Sequence, residues 1–372
     1  MQPEPLHDLS SVDHLVDYDR HSQMQGGLVR SRSDLLAEIV AEIGGVSPEF
    51  VLVDYGCGPG HSAIDVARAV IDAYRRLDPD GPVTIRHSDQ AGNDWNALFS
   101  LAFGPTGYRQ EHAGIRTEAT IGSFYTSLAA PGSVTLGTCF TASHWLSRAL
   151  RLDSPGTMWF ADLEGDARRR FADLARADWV RFLRCRTREL RPGGYAVISG
   201  LGSVPDPGER NGVMATSRAL YRAMFDVAQT MVDDGLLSSN ALDHFIFPVW
   251  FPTVDEARAP ILNEPDLAED LDVIQAEVVP AEFHPNDVFE AELDDAQRYA
   301  ELYAGYARGF GESALRLHLF NHSAEDADEA DALATEFFAR LTQLYRDEPG
   351  EHAGETMAMT LVVRKRESAS TR

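Results

Sequence analysis

The residues best placed to do chemistry lie in one short stretch, where Asp54, Gly56, Gly58 and Gly60 alternate as Asp-x-Gly-x-Gly-x-Gly. Glycines let backbone approach a ligand closely, and a carboxylate beside them favours positive charge. The same stretch also contains Gly58-x-Gly60-x-x-Ala63, which fits the dinucleotide pattern G-x-G-x-x-G/A. Two features argue against a pyrophosphate there. Pro59 removes an N–H donor from the loop, and Asp54 would repel an anion. A ligand with cationic groups and no phosphate suits the frame better; an ordinary glycine-rich turn without a ligand is the plain alternative. Asp89 ends a second apolar run and is suited to accept hydrogen bonds from ribose hydroxyls. His144 and Trp145 follow a third such run, and the Trp145 indole offers an N–H donor without a full charge. No His-Glu-x-x-His spacing occurs, so no metal is expected. Cys57, Cys139 and Cys185 have neither disulfide-framework numbers nor metal-site spacing.

These side chains need elements to hold them. Val51 to Tyr55 reads as a buried strand, and Ala63 to Ile71 carries apolar residues at helical spacing. Strand, tight loop and helix make the opening unit of a doubly wound α/β sheet, whose ligands bind beyond the carboxyl ends of the strands. Ser33 to Ile43 reads as an amphipathic helix closed by Gly44-Gly45. Val83–Asp89, Ser133–Thr138 and Tyr195–Ser199 read as further strands, and Pro192-Gly193-Gly194 as a turn between a helix and the last of these. Ile121 to Tyr125 is a small-aromatic loop cluster. Helical patterns, such as Leu220–Met231, and an aromatic-proline run, Phe245 to Pro252, fill the stretch from 205 to 270. Residues 273–283 read as a strand, 287–345 as acidic helices, and Thr356–Val363 as a strong final strand. The expected architecture is an α/β Rossmann-like sheet with an inserted helical cap. Residues 1–204, with about 271–286 and 355–366, form the core; 205–270 and 287–354 form a cap over the substrate pocket.

The chain has 372 residues, 44% hydrophobic and 24% charged, an ordinary globular balance that allows one large domain or two. Its net charge of −25 makes a nucleic-acid backbone or an anionic membrane a poor partner. The opening Met1-Gln2-Pro3-Glu4-Pro5 has no basic n-region or apolar h-region, and no run of 18 apolar residues occurs. A soluble cytoplasmic protein is the expectation.

Taken together, several stretches resemble the plant-type SABATH methyltransferases, the salicylate carboxyl and caffeine-type N-methyltransferase family that uses S-adenosyl-L-methionine (SAM). The resemblance rests on Tyr18-x-x-x-Ser22-x-x-Gln25, Asp54-x-Gly56-Cys57 and Asp89-x-x-Gly92-Asn93-Asp94-Trp95-Asn96. It continues through Gly122-Ser123-Phe124-Tyr125, His144-Trp145-Leu146-Ser147 and Phe182-Leu183-Arg184-Cys185-Arg186, followed by Pro192-Gly193-Gly194. It covers nearly the whole chain. It implies that Tyr18 and Ser22 close over SAM, that Asp54 and Gly56 approach its methionine part, and that Asp89 holds the ribose. Ser123 and Phe124 would line the adenine. Gln25 and Trp145 would donate to a substrate carboxylate, with His144 beside them. Tyr221 and Trp250 fall where the family has aromatic pocket walls. Ser62 replaces an asparagine that contacts SAM in the family. Gln90 stands where an apolar residue usually covers the adenine, and Thr141 where a pocket tyrosine is usual.

The activity this implies is methyl transfer from SAM to the carboxylate of a small aromatic or apolar acid, leaving S-adenosyl-L-homocysteine (SAH). Carboxylates are ionised at neutral pH, so no general base is required. N-methylation of a heterocycle and SAM binding without turnover are the rival readings; Pro59, His61 and Ser62 favour the latter. The partners expected are a small carboxylic acid and, from the family, a second copy of the chain in a homodimer.

Overall fold

The computed structural model of the chain describes residues 27–29, 31–45, 48–281, 294–352 and 356–367. Helix α1 (Ser33–Ile43) buries Leu36, Ile39 and Val40, the stripe its spacing predicts. Strand β1 (Phe50–Tyr55) leads through the glycine loop into α2 (His61–Leu77). There follow β2 (Val83–Asp89), α3 (Trp95–Phe103), α4 (Tyr108–Glu111), β3 (Ile115–Ile121) and β4 (Val134–Phe140). Every residue of β4 is buried, as a central strand covered on both faces requires.

Helix α5 (Gly165–Glu189) then runs straight into β5 (Leu190–Leu201). The sequence reading placed Pro192-Gly193-Gly194 in a turn ahead of the strand. In the structure it lies inside β5 as an irregularity: Val134 pairs with Leu190, but Leu136 pairs with Tyr195. Gly193, at φ 73°, supplies the left-handed residue this needs.

The remaining elements are a short hairpin of β6 (Ser203–Pro205) and β7 (Val213–Ala215), then α6 (Arg218–Asp233), α7 (Ser239–Leu242), α8 (Val254–Asn263) and α9 (Pro265–Asp270). Strand β8 (Leu271–Pro280), helices α10 (Ala296–His318) and α11 (Ala327–Asp347), and strand β9 (Met357–Lys365) complete the described chain.

The main sheet has the order β3-β2-β1-β4-β5-β9-β8. Strands β1 to β5 pair in parallel, and β9 runs antiparallel to both its neighbours. The strand order reverses between β1 and β4, and the carboxyl ends there form the crevice in which ligands bind in such sheets.

Two apolar bodies are the largest among the described residues. One lies within the sheet layers and includes Phe50, Leu52, Ile85, Leu136 and Val197. The other fills the helical region around Trp159, Tyr221, Phe247, Tyr303 and Phe337. The stretch 205–270, expected as cap, also reaches the sheet. Ile261 of α8 and Leu267 of α9 join a cluster with Phe182, Ile198 and Leu361, so both helices cover the sheet. No helix among the described residues is long and apolar enough to cross a membrane.

Phe247 joins the second body to the crevice. It is fully buried, and its ring centroid lies 5.1 Å from Tyr221, 5.4 Å from Phe245 and 6.5 Å from Trp145. Phe247→Ala is expected to cost about 3–5 kcal/mol of unfolding free energy, read from urea denaturation.

Candidate active site

Four loops meet at the carboxyl ends of β1 to β4. After β1 the backbone turns sharply: Gly56 N and Cys57 N both donate to Ser88 O, at 2.8 and 3.1 Å. Gly56 sits at φ 77°, and a Cβ built there would lie 2.3 Å from Ala142 Cβ and 3.7 Å from Phe124 Cε1. The loops after β1, β3 and β4 therefore converge on one atom-sized gap that only glycine fills.

Asp54, two residues earlier in β1, is buried. It pairs across the sheet with Thr138, whose hydroxyl donates to Asp54 Oδ1 at 2.7 Å. Burial pushes its carboxyl up to about 7; the Thr138 bond opposes this, and the nearby Asp89 charge adds to it. A cation placed beside it would restore full ionisation.

Asp89 accepts from two backbone N–H groups, Gly58 N and Gln90 N, each at 2.7 Å. Burial raises its pKa and these bonds counter it. Two donors leave lone pairs free for further hydroxyls. Asn93 Nδ2 donates to Gly58 O at 2.8 Å, so the glycine loop is tied from both sides. Next to Asp89, the Gln90 side-chain Oε1 is buried with no protein partner among the described residues.

After β4 the chain enters an uncommon conformation. Thr141 has φ 53°, costly for a β-branched residue, and its hydroxyl folds back to Phe140 O at 2.8 Å. The segment beyond is fixed against the aromatic-proline run. Trp145 and Val249 form an antiparallel bridge, Trp250 N donates to His144 O, and Leu146 N to Pro248 O, both at 2.9 Å. Tyr125 Oη donates to Trp145 O at 2.5 Å, and Asp178 accepts from Ser147 N and Oγ at 2.7 and 2.8 Å. The His144 ring meets Phe251 edge-on at 5.2 Å. Burial lowers its pKa to about 3, so the imidazole is neutral at physiological pH; its Nδ1 is buried with no protein partner among the described residues.

The structure thus brings Asp54, Gly56, Asp89, Gln90, Ser123, Phe124, Thr141, His144 and Trp145 to the same end of the sheet. Ser62 lies in the first turn of α2, beyond the glycine loop. Tyr221 stacks on Trp159 at 4.0 Å and reaches Trp145 through Phe247. Trp250 joins that chain of rings one step further on, through Phe160, which lies 4.4 Å from Trp159. It packs on Phe160 at 4.8 Å, with the Arg168 guanidinium 4.4 Å above it. Tyr18, Ser22 and Gln25 lie outside the described residues. Sequence reasoning missed Thr138, Asn93 and Asp178. Only Asn93 carried a signal, as part of the Gly92-Asn93-Asp94-Trp95 stretch.

These features test the fit of a cofactor. The glycine gap, a buried acid needing a cation, an acid with spare lone pairs for a diol, and an orphan amide acceptor suit SAM better than a ligand bearing phosphate. Sheet order and crevice define a doubly wound α/β fold with its ligand site at the switch point. A family model described as SAM dependent carboxyl methyltransferase matches residues 13–366. The chain belongs to that family, the SABATH group its motifs resemble, and is a SAM-dependent carboxyl O-methyltransferase. It is 26% identical over 288 residues to gibberellic acid methyltransferase 1 of Arabidopsis thaliana, covering 71% of this chain and 73% of that protein. It is 23% identical over 275 residues to loganic acid O-methyltransferase of Catharanthus roseus, covering 67% and 70%. A solved loganic acid methyltransferase with SAH has the same fold, with TM-score 0.73 at 19% identity over 95% of this chain and 97% of that one.

Two outcomes follow from the loop geometry. Gly56→Ala should lower the unfolding midpoint and abolish SAM binding by calorimetry, because a strained φ and a 2.3 Å contact coincide. Asp54 has a raised pKa in the fold, so its contribution to stability is complete below the unfolded value of about 4 and is lost as pH rises toward 7. Without cofactor, urea midpoints of Asp54→Asn should therefore gain on wild type as pH increases across that window.

Proposed function

We propose that the enzyme transfers the methyl group of SAM to the carboxylate of a small aromatic or apolar acid held by Gln25, His144 and Trp145. The observation that carries this reading is the His144–Trp145 segment. It follows β4 directly, is locked to residues 248–250, and stands among aromatic rings beside the glycine loop. Relatives named for gibberellic, loganic, indole-3-acetic and farnesoic acids support a carboxylate as the acceptor.

SAM supplies an electrophilic methyl on a sulfonium. The chain's task is to hold the acceptor in line with it and exclude water. Asp54 compensates cationic charge, Asp89 takes the ribose hydroxyls, and Gln90, Ser123 and Phe124 flank the adenine, with Tyr18, Ser22 and Ser62 completing that side. Trp145 Nε1–H and the Gln25 amide orient the carboxylate by hydrogen bonds. A neutral His144 matters here: an imidazolium would bind the acid more tightly but draw electron density from the attacking oxygen. Thr141 and Tyr221 shape the apolar end of the pocket, and Trp250 supports it from behind. In this reading the helical region closes the pocket over the sheet, and the enzyme works in the cytoplasm as a homodimer, the dimer being what the family resemblance implies.

Trp145→Phe keeps an aromatic body and deletes the donor. A hydrogen bond to a charged group is worth about 1.5–3 kcal/mol, so kcat/KM for the acid should fall by roughly one to two decades with SAM affinity near wild type. Gln25→Leu should behave alike, and the double variant should be sub-additive if both donors hold one carboxylate. A methyl-transfer panel of aromatic and aliphatic acids, with N-heterocycles as the contrast, tests the acceptor class. Transfer to heterocycles alone would overturn it.

A further inference from the structure

Phe182-Leu183-Arg184-Cys185-Arg186 marks the resemblance, yet none of these residues enters the site described above. The last turn of α5 gives it a role. Arg186 and Glu189, three residues apart, form an ion pair in the interior, with side chains 2% and 0% exposed and Nε 2.8 Å from Oε2. Desolvating two charges is costly, and an apolar pair of similar size usually serves stability as well or better. What an apolar pair lacks is the ability to hold backbone.

That ability is used on one segment. Arg186 Nη1 donates to Phe124 O at 2.8 Å and Nη2 to Thr126 O at 3.1 Å. Glu189 Oε1 accepts from Leu128 N, and from Ala129 N at 3.2 Å. Four backbone groups of the loop after β3, which has no ladder of its own there, thus end on this one pair. The pair is itself braced from β1: Tyr55 Oη donates to Glu189 Oε2 at 2.6 Å, and the Arg186 guanidinium lies 3.8 Å over the Tyr55 ring. Tyr55 is the residue before Gly56, so one buried unit sets the glycine gap and the loop that closes it.

We infer that Arg186 and Glu189 are positioning residues for the cofactor, holding Ser123 and Phe124 at the distance from the glycine loop that fits the adenosyl part of SAM. This rests on the reading that Ser123 and Phe124 flank the adenine. Arg186 is the specific requirement, since its planar fork bonds Glu189 and two carbonyls at once and a lysine ammonium cannot.

The test uses the full-length enzyme and SAM titration calorimetry, with steady-state kinetics alongside. Arg186→Lys and Glu189→Gln should each weaken SAM binding roughly ten- to hundredfold, raise KM for SAM in parallel, and shift KM for the acid far less, with kcat at saturating SAM near wild type. Arg184→Ala, which removes a surface pair with Asp266 at 2.7 Å, should leave SAM affinity unchanged. In a cycle with Phe124→Ala, the Arg186→Lys loss should be sub-additive, because both act through one ring; with Asp89→Ala it should be additive. If Arg186→Lys does not fold, Glu189→Gln and its cycle with Phe124→Ala decide the matter. Should Phe124→Ala weaken SAM while Glu189→Gln and any folded Arg186→Lys do not, the positioning role is overturned and the adenine reading stands. Should Phe124→Ala leave SAM affinity at wild type, the adenine reading fails and takes the inference with it. Equal losses for SAM and acid would reduce the pair to a structural brace.

Discussion

The site depends on a steric constraint: β1 and β4 end so close together that no side chain fits between Gly56 and Ala142. That closeness brings a carboxylate on β1 within a hydrogen bond of a hydroxyl on β4. It also sets the loop after β4 directly against the loop after β1, so whatever His144 and Trp145 hold is delivered beside whatever Asp54 and Gly56 hold. Bond formation between two ligands needs such a juxtaposition, and a sheet whose strand order reverses at this place supplies it without moving parts. The left-handed Thr141 follows from the same constraint. The chain must leave β4 abruptly to clear the glycine loop, and strain is the local cost.

Charge in the crevice is arranged differently from charge on the surface. The chain carries a net −25, mostly on solvated helices where each group costs little. Inside, the acids are few and each has a defined companion. Asp54 has Thr138, Asp89 has two backbone N–H groups, Asp178 has Ser147, and Glu189 has Arg186. Among the described residues the first two have no cationic partner, and burial raises the pKa of both. An uncompensated pair of acids in an enclosed crevice is a ready seat for a cationic ligand and an unfavourable one for a phosphate.

Much of this was legible in the sequence where local pattern decides structure. Strand β2 runs over the residues its apolar run indicated, α1 likewise, and Asp54 and Asp89 stand at strand ends as expected. What escaped depended on register and on the third dimension. Thr138 looks like any β-branched residue in an apolar strand until pairing sets it opposite Asp54. The Pro-Gly-Gly element reads as punctuation, yet tertiary pairing absorbed it into β5. Residues 254–270 carry helical patterns like the stretch before them, and only their packing partners assign them to the sheet. Tyr221 and Trp250 read alike in the sequence, and only packing shows that Tyr221 stacks on Trp159 while Trp250 packs on Phe160 beneath Arg168.

The rings linked to Trp145, namely Phe247, Tyr221 and Trp159, are packed against one another in a single apolar body. A pocket walled this way discriminates by volume and shape, and such discrimination is modest: one methylene is worth about 1–3 kcal/mol. The polar end is stricter, because a buried donor left without its acceptor loses a full hydrogen bond. Relatives named for quite different acids are consistent with that division, since all the named acids share the carboxylate and differ in the body behind it. On the proposed acceptor site, substitutions in the aromatic body would redirect the enzyme among acids at low cost. On the same proposal, a change of acceptor class would have to rebuild the His144–Trp145 segment and the residues 248–250 that hold it.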